Sequence, residues 1–166
     1  MRARPLTTVV VGLAVAMSAV LAVAGPATAA PTAKGQTVVT LDAGLAGALA
    51  GLGVDVGVVR PAYGKDGGVA FPIVGNPARG TVKHVGGLSL SAGDTVVTLT
   101  NYWIDGAVVT GVVNGGDRLP LFDVTAPGGV VTLDLTDVAA GALDDIFGTD
   151  ALTGSTVVGT ADIQAP

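Results

Sequence analysis

A single histidine, His84, limits the chemistry that this chain can perform. Any Ser–His dyad, histidine general base or histidine metal cluster must use it. Ser89, Ser91 and Ser155 are candidate nucleophiles, but none lies in a Gly-x-Ser-x-Gly turn or in another hydrolase motif. A lone histidine beside Lys83 on a strand pattern is typical of a surface residue or of a hydrogen-bonded core residue. The sequence therefore argues against a serine hydrolase.

All thirteen acidic residues are aspartates, a bias that favours turns and helix caps over helix faces. Asp144 and Asp145 are adjacent on a predicted helix, which points them about 100° apart and prevents them from facing each other as a carboxylate pair. A hydrolase that uses distant, converging aspartates is kept as an alternative. The loops at residues 65–68 and 115–117 lack the oxygen-ligand spacing of an EF-hand. We predict no catalytic residues and no metal site.

Aromatic residues are scarce, and two of them, Tyr102 and Trp103, are adjacent on a predicted strand. Neighbouring strand positions face opposite sides of a sheet, so we expect Trp103 in the core and Tyr102 on the outer surface. If the outward ring lies near Tyr63 and Phe71, these rings form an apolar ligand surface. The candidate ligand-binding residues are Tyr63, His84, Tyr102 and Trp103.

The elements that must position these residues are mostly strands. Asp105-Gly106 and Asn114-Gly115 separate strand patterns and tolerate the positive φ angles of tight hairpins, so residues 88–135 predict an antiparallel meander. Pro72 predicts that its strand lies at a sheet edge. We predict a mainly β fold, an antiparallel β-sandwich with a meander core and two short α-helices. The predicted strands are residues 36–41, 54–58, 69–74, 81–91, 95–104, 107–113, 118–124, 130–135 and 155–163, and the predicted helices are residues 42–52 and 138–147.

Capping residues bound both predicted helices. Asp42 can cap the first helix, and Gly53 is its predicted left-handed terminator. Thr136 or Asp137 caps the second helix, and Gly148 ends it.

Residues 1–29 have the pattern of a secretory signal peptide. Arg2 and Arg4 give a basic start, residues 6–24 are almost uninterruptedly apolar, and Ala27-Thr28-Ala29 fits signal-peptidase cleavage. An uncleaved membrane anchor is the alternative, because the apolar run approaches the roughly 20 residues that span a bilayer. Residues 30–166 have the length of a single secreted β-rich domain. We predict an extracellular or cell wall-associated protein that meets the membrane only through its signal segment before cleavage.

The composition argues against some classes of partner and excludes some classes of chemistry. Loss of Arg2 and Arg4 leaves six cationic residues against thirteen aspartates. This acidic balance argues against nucleic acid or an anionic membrane as a partner. The sequence contains no cysteine, which excludes thiol catalysis, iron–sulfur clusters, cysteine zinc sites and disulfides.

Several segments resemble a group of uncharacterised secreted actinobacterial β-rich proteins: residues 71–75, 80–88, 98–105 and 119–123, the second predicted helix, and Gly159-Thr160-Ala161. This resemblance covers nearly all of the chain after residue 29. It implies a cell-envelope or extracellular location and brings no established activity.

The Gly-x-Val-x-His-x-Gly-Gly-Leu segment at residues 80–88, followed by paired strands, is also similar to HtaA-type haem-binding domains. These are secreted or surface β-rich modules, and the similarity implies haem as a ligand. His84 is the position that carries over. That family has an early helix with a haem-ligating tyrosine, but the first predicted helix here contains none, so Tyr63 would act as a ligand from a loop.

The functional expectation is a secreted, non-enzymatic binding or structural module of the cell envelope or extracellular space. We predict no cofactor for it, and its envelope partner is not identified by the sequence. Binding of haem or of another apolar small ligand is the first alternative.

Overall fold

The computed structural model describes residues 33–126, 128 and 130–164. The predicted signal peptide, residues 1–29, lies outside the described residues. Within the described part, the chain forms eleven β-strands and two α-helices, and every strand pairing is antiparallel. The prediction of a mainly β, antiparallel fold with two short helices is confirmed.

The strands and helices follow one another with short connections. The strands are β1 (Gln36–Leu41), β2 (Asp55–Val59), β3 (Tyr63–Lys65), β4 (Gly68–Val74), β5 (Thr81–His84), β6 (Gly87–Ala92), β7 (Thr95–Asp105), β8 (Val108–Val113), β9 (Arg118–Thr125), β10 (Val131–Leu135) and β11 (Val157–Gln164). The helices are α1 (Ala43–Gly51) and α2 (Asp137–Phe147), and a 3₁₀ turn covers Pro77–Arg79.

Eight strands close into a barrel in the order β7-β5-β4-β1-β11-β10-β9-β8, because β8 also pairs with β7. The other strands extend this wall: β6 and β2 continue from β7, and β3 pairs with β4. The predicted meander is confirmed, since β6 to β10 pair in sequence order. The predicted sandwich is not confirmed. Each strand of a sandwich or of a barrel buries one face, so hydrophobic alternation does not distinguish the two architectures.

The predicted strand at residues 81–91 is divided into β5 and β6 at Val85 and Gly86. Gly86 has a φ of 83°, and a Cβ at this position would lie 2.3 Å from the backbone nitrogen of Ala62. Only glycine adopts this conformation without strain, and it leaves room for that close contact. As a result, β5 pairs with the last part of β7 in the barrel wall, while β6 pairs with the first part.

Pro72 does not mark an edge strand, because β4 has neighbours on both sides. The N–H of Ile73 donates to the carbonyl of Gly35 beside β1, so the nitrogen of Pro72 faces the opposite side. On that side β3 ends its pairing at Ala70, and β5 begins its pairing at Ile73. The proline nitrogen therefore lies at a junction where no ladder donor is required, while the proline carbonyl accepts from the N–H of Val85.

A bulge at Asn101 changes which side chains of β7 face inward. Asn101 has a φ of 53°, and the register between β7 and β8 shifts at this point. Before the bulge Val97 and Leu99 are buried, whereas after it Tyr102 is buried and Trp103 is partly exposed. The prediction of Trp103 in the core and Tyr102 outside is therefore wrong, because an extra residue exchanges the two faces of a strand.

Both helices have the predicted caps. The Asp42 carboxylate accepts hydrogen bonds from two backbone N–H groups of the first turn of α1, and Gly53 beyond it has a φ of 71°. The Thr136 hydroxyl accepts from the N–H of Ala139 and donates to the carbonyl of Pro120, which ties α2 to β9. No helix in the described part of the chain is long and apolar enough to cross a membrane.

Helix α2 closes one end of the barrel. Its buried residues Ala139 and Leu143 enclose a small space of about 30 Å³ together with side chains of the barrel wall. These wall residues are Val97, Leu99, Val113, Leu119, Leu121, Phe122 and Leu135. Packing under α2 therefore fills this half of the interior.

Candidate functional site

The other half of the barrel interior contains a cavity of about 180 Å³. Its polar side chains are Thr37, His84 and Tyr102, and the rest of its lining is apolar or glycine. An eight-stranded barrel encloses just enough space for side chains to fill or for one small ligand to occupy. Unfilled space of this size makes the interior the candidate functional site.

Strand alternation places the lining residues. Thr37, Val39 and Leu41 of β1 line the cavity, while Thr40 between them lies on the outer surface. On the neighbouring strand β11, Ala161 lines the cavity, and Thr160 is exposed. One face of each strand therefore forms the wall of the site.

An aromatic cluster forms the inner end of the cavity. The rings of Phe71 and Tyr102 meet edge to face, with centroids 5.3 Å apart and planes at 89°, and the centroids of Tyr102 and Phe122 are 6.1 Å apart. The Tyr102 hydroxyl donates to the carbonyl of Leu99 at 2.7 Å. Phe122 also lines the small space under α2. The cluster thus lies between the cavity and the half of the interior that α2 closes.

The cavity reaches the surface at the end of the barrel opposite α2. Helix α2 follows the last residue of β10, whereas the β7–β8 turn and the end of β11 lie at the other end of these antiparallel strands. Gly106 in that turn is exposed, Ile163 on β11 is 39% exposed, and both line the cavity. A small molecule can therefore reach the cavity from this end.

The buried imidazole of His84 is hydrogen-bonded at both nitrogens. Its Nδ1 lies 3.1 Å from the carbonyl oxygen of Tyr102, and its Nε2 lies 2.7 Å from the hydroxyl of Thr37. A carbonyl oxygen only accepts, so this network assigns the ring proton to Nδ1 and makes Nε2 the acceptor of the Thr37 hydroxyl proton. Burial lowers the pKa of His84, and the hydrogen bond to the Tyr102 carbonyl raises it in smaller part. The ring is therefore neutral near pH 7.

Trp103 lies outside the barrel between two cations. The Lys83 ammonium is 4.2 Å from the ring centroid, and the Arg118 guanidinium carbon is 3.9 Å from it. Arg118 also donates to the carbonyls of Asn101 and Thr110, at 2.8 and 3.2 Å. These contacts are cation–π interactions that occupy the indole ring, which does not line the cavity.

The structure brings together two of the four predicted ligand residues. His84 and Tyr102 meet inside the barrel, where Phe71 joins them. Tyr63 lies on β3, is 46% exposed, and donates its hydroxyl to the side chain of Gln36. Sequence reasoning missed Thr37, although its alternation with Val39 and Leu41 marked it as an inward-facing polar residue.

The residues named for haem do not have the arrangement that a two-ligand site requires. Both nitrogens of His84 have protein partners, and neither is free to bind iron without loss of a hydrogen bond. Tyr63 does not line the cavity that His84 lines. The geometry therefore does not fit axial ligation by this pair.

The aspartates lie on the outer surface of the described structure. Asp66 and Asp162 line one shallow surface groove, and Asp123 is opposite Asp134 in the β9–β10 register. The described lining of the cavity contains no aspartate. Among the described residues, no group of three or more His, Cys, Asp or Glu side chains is placed to hold a metal ion.

Comparison with known proteins adds no family to these observations. The sequence matches no protein-family model, and no curated protein is significantly similar to it. The geometry of the barrel interior therefore carries the functional argument.

Proposed function

We propose that this chain is an exported, non-enzymatic binding protein that holds one small apolar molecule inside its barrel. The observation that carries the proposal is the cavity of about 180 Å³, whose lining is apolar except for three side chains. Ligand sites in proteins are typically concave and apolar, with a few polar groups that orient the ligand.

The size of the cavity sets the size of the ligand. Protein interiors are close-packed, and voids larger than a water molecule are few. An apolar protein cavity of about 150 Å³ stays dry and binds benzene. By that comparison, the space inside this barrel accommodates a molecule of one or two small rings.

The polar groups of the cavity support binding more than catalysis. The Thr37 hydroxyl oxygen and His84 Nε2 lie 2.7 Å apart, which is the spacing of a nucleophile and a general base. An acyl-transfer site also needs donors for the developing oxyanion. Thr37 and His84 lie on ladder-paired strands, whose N–H groups point along the wall to neighbouring strands and not into the cavity. No carboxylate of residues 33–164 lines the cavity to assist the base.

The proposed function includes export of the protein from the cell. The signal pattern at residues 1–29 and the acidic, cysteine-free composition support a role in the extracellular space or at the cell wall. Immunoblots of culture medium, cell-wall and cytoplasmic fractions test this part. Detection of the protein in the cytoplasmic fraction alone would contradict it.

Titration of the isotope-labelled protein with benzofuran tests the binding function. We expect saturable changes in amide NMR signals of the cavity strands, with little change in the exposed residues of β2, which do not line the cavity. If benzofuran, indole and benzene all leave the spectrum unchanged up to their solubility limits, the proposed function is wrong.

A further inference from the structure

The polar side chains of the cavity differ in the hydrogen bonds that they can still form with a ligand. The Tyr102 hydroxyl donates its proton to the carbonyl of Leu99, so this proton is not free. The Nδ1 proton of His84 is donated to the carbonyl of Tyr102. Each of these two side chains has therefore used its donor within the protein.

The Thr37 hydroxyl proton is also used within the protein, but the hydroxyl oxygen can still accept a hydrogen bond. A hydroxyl has one donor and two acceptor lone pairs, and the Thr37 proton is donated to Nε2 of His84. The hydrogen bond to His84 is the one side-chain hydrogen bond that the described structure shows for this hydroxyl. The Tyr102 hydroxyl points to Leu99, which lines the space under α2 and not this cavity, so the cavity presents its hydrogen-bond acceptor at Thr37, without a matching donor.

In the part of the chain that the structure describes, the lining contains no charged side chain that could pair with an ionised ligand. Among the described residues, lysine, arginine and aspartate are absent from the cavity wall, and burial favours the neutral form of His84. An ionised carboxylate in an apolar cavity loses its hydration and gains no counter-charge, which is a large cost. Fatty acids and other carboxylates are thus poorly suited to this site.

We propose that the ligand is a small uncharged molecule with one hydroxyl or N–H group, and that this group donates a hydrogen bond to the Thr37 hydroxyl oxygen. The inference rests on the proposed binding function and specifies its ligand class. It makes Thr37 the residue that determines specificity, with His84 as a positioning residue that holds the Thr37 proton.

Indole and benzofuran form a matched pair of probes, because they have the same ring shape and differ in one N–H donor. A single neutral hydrogen bond favours a complex by about fivefold. We therefore expect the full-length protein to bind indole about fivefold more tightly than benzofuran in NMR or calorimetric titrations. Benzoate, which is ionised at pH 7, is expected to show no saturable binding.

Two variants connect this preference to the named residues. In the double variant Thr37→Val/His84→Leu, both partners of the Thr37–His84 hydrogen bond become apolar. The Tyr102 carbonyl also loses its His84 donor, so an amide NMR spectrum first checks that the variant is folded. This double variant should still bind benzofuran, and it should bind indole with about the same affinity. Thr37→Ser keeps the hydroxyl and should keep the preference.

The outcomes separate the two proposals. If no probe binds the wild-type protein, the proposed binding function fails. If indole and benzofuran bind equally, if benzoate binds as tightly as they do, or if the double variant keeps the indole preference, the binding function stands and the inference about the ligand class is overturned.

Discussion

Thr37 on β1 and His84 on β5 share a hydrogen bond of 2.7 Å, although β4 lies between these two strands in the barrel wall. The bond passes through the interior, since both side chains line the cavity. It uses the single histidine of the sequence as an acceptor and fixes the protonation pattern of the site. If the cavity binds a ligand as proposed, stability and ligand choice depend on the same pair.

The stability of the fold should decrease at mildly acidic pH. Burial lowers the pKa of His84 below its ordinary value of 6.5. Below pH 6.5 the imidazole therefore binds a proton more readily in the unfolded chain than in the folded chain. The His84 contribution is complete above pH 6.5 and is lost as the pH falls from 6.5 toward the folded pKa. Urea denaturation at pH 7.5, 6.5 and 5.5 measures this change. The double variant Thr37→Val/His84→Leu should show a flatter profile; an equally steep profile in both proteins would assign the pH dependence to other groups.

Filling the cavity should abolish ligand binding without loss of the fold. Ala161→Leu adds side-chain volume on the cavity face of β11, whereas Thr160→Leu adds a leucine to the outer face one residue earlier. We expect the Ala161 variant to lose benzofuran binding and the Thr160 variant to retain it. Amide NMR spectra report both binding and folding. Undiminished binding by a folded Ala161→Leu protein would place the probe elsewhere.

Tyr102 should matter more to stability than its larger neighbour Trp103. Tyr102 is 6% exposed and packs against Phe71 and Phe122, so Tyr102→Ala should cost about 3–5 kcal/mol in the free energy of unfolding. Trp103→Ala removes a partly exposed ring with two cation–π contacts, which predicts a loss of about 1–2 kcal/mol. Tyr102→Phe, which removes the hydroxyl and its hydrogen bond to Leu99 but keeps the ring, should cost about 1 kcal/mol. Chemical denaturation gives all three values, and the opposite order would contradict the inward position of Tyr102.

Gly111 on β8 should not tolerate a methyl group. A Cβ at this position would lie 2.5 Å from a methyl carbon of Leu121 and 3.0 Å from the Tyr102 ring, so Gly111→Ala should cost about 1–3 kcal/mol through overpacking. Gly47 on α1 is exposed and has no atom within 4 Å of its Cβ position. Gly47→Ala should therefore stabilise the protein by up to about 1 kcal/mol. Thermal unfolding of both variants checks the contrast, and similar melting temperatures would argue against close packing at Gly111.

Hemin should not form a specific complex with this protein. Both nitrogens of His84 are occupied, and Tyr63 does not line the cavity. In an absorbance titration we expect the spectrum of free hemin, unchanged by His84→Ala or Tyr63→Ala. A saturable Soret shift that either substitution removes would restore haem as the ligand.

Local features of the fold were predictable because short-range chemistry determines them. Asp42 and Thr136 cap the helices, and Asp105-Gly106 forms the turn between β7 and β8, as their side chains and φ preferences indicate. Closure of the barrel was not predictable in this way. The pairing of β1 with β11 joins residues at opposite ends of the described chain, and alternation within each strand carries no information about such partners.

The candidate site was predictable only in part for the same reason. His84 was identifiable as the single imidazole, but its partner Thr37 is 47 positions away in the sequence. The orientation of Tyr102 and Trp103 depended on one positive φ angle at Asn101, a conformation that asparagine tolerates but does not require. Regular alternation was therefore the wrong assumption for this strand.

The bulge at Asn101 gives one strand two separable roles. The residues of β7 before it pack under α2, and those after it face the cavity. Mutations in the first segment would act on folding alone, whereas mutations in the second, which contains Tyr102, would act on folding and also on what the interior accepts. If the interior binds a ligand as proposed, the second segment is where a substitution changes ligand preference, whereas the first segment supports the fold alone.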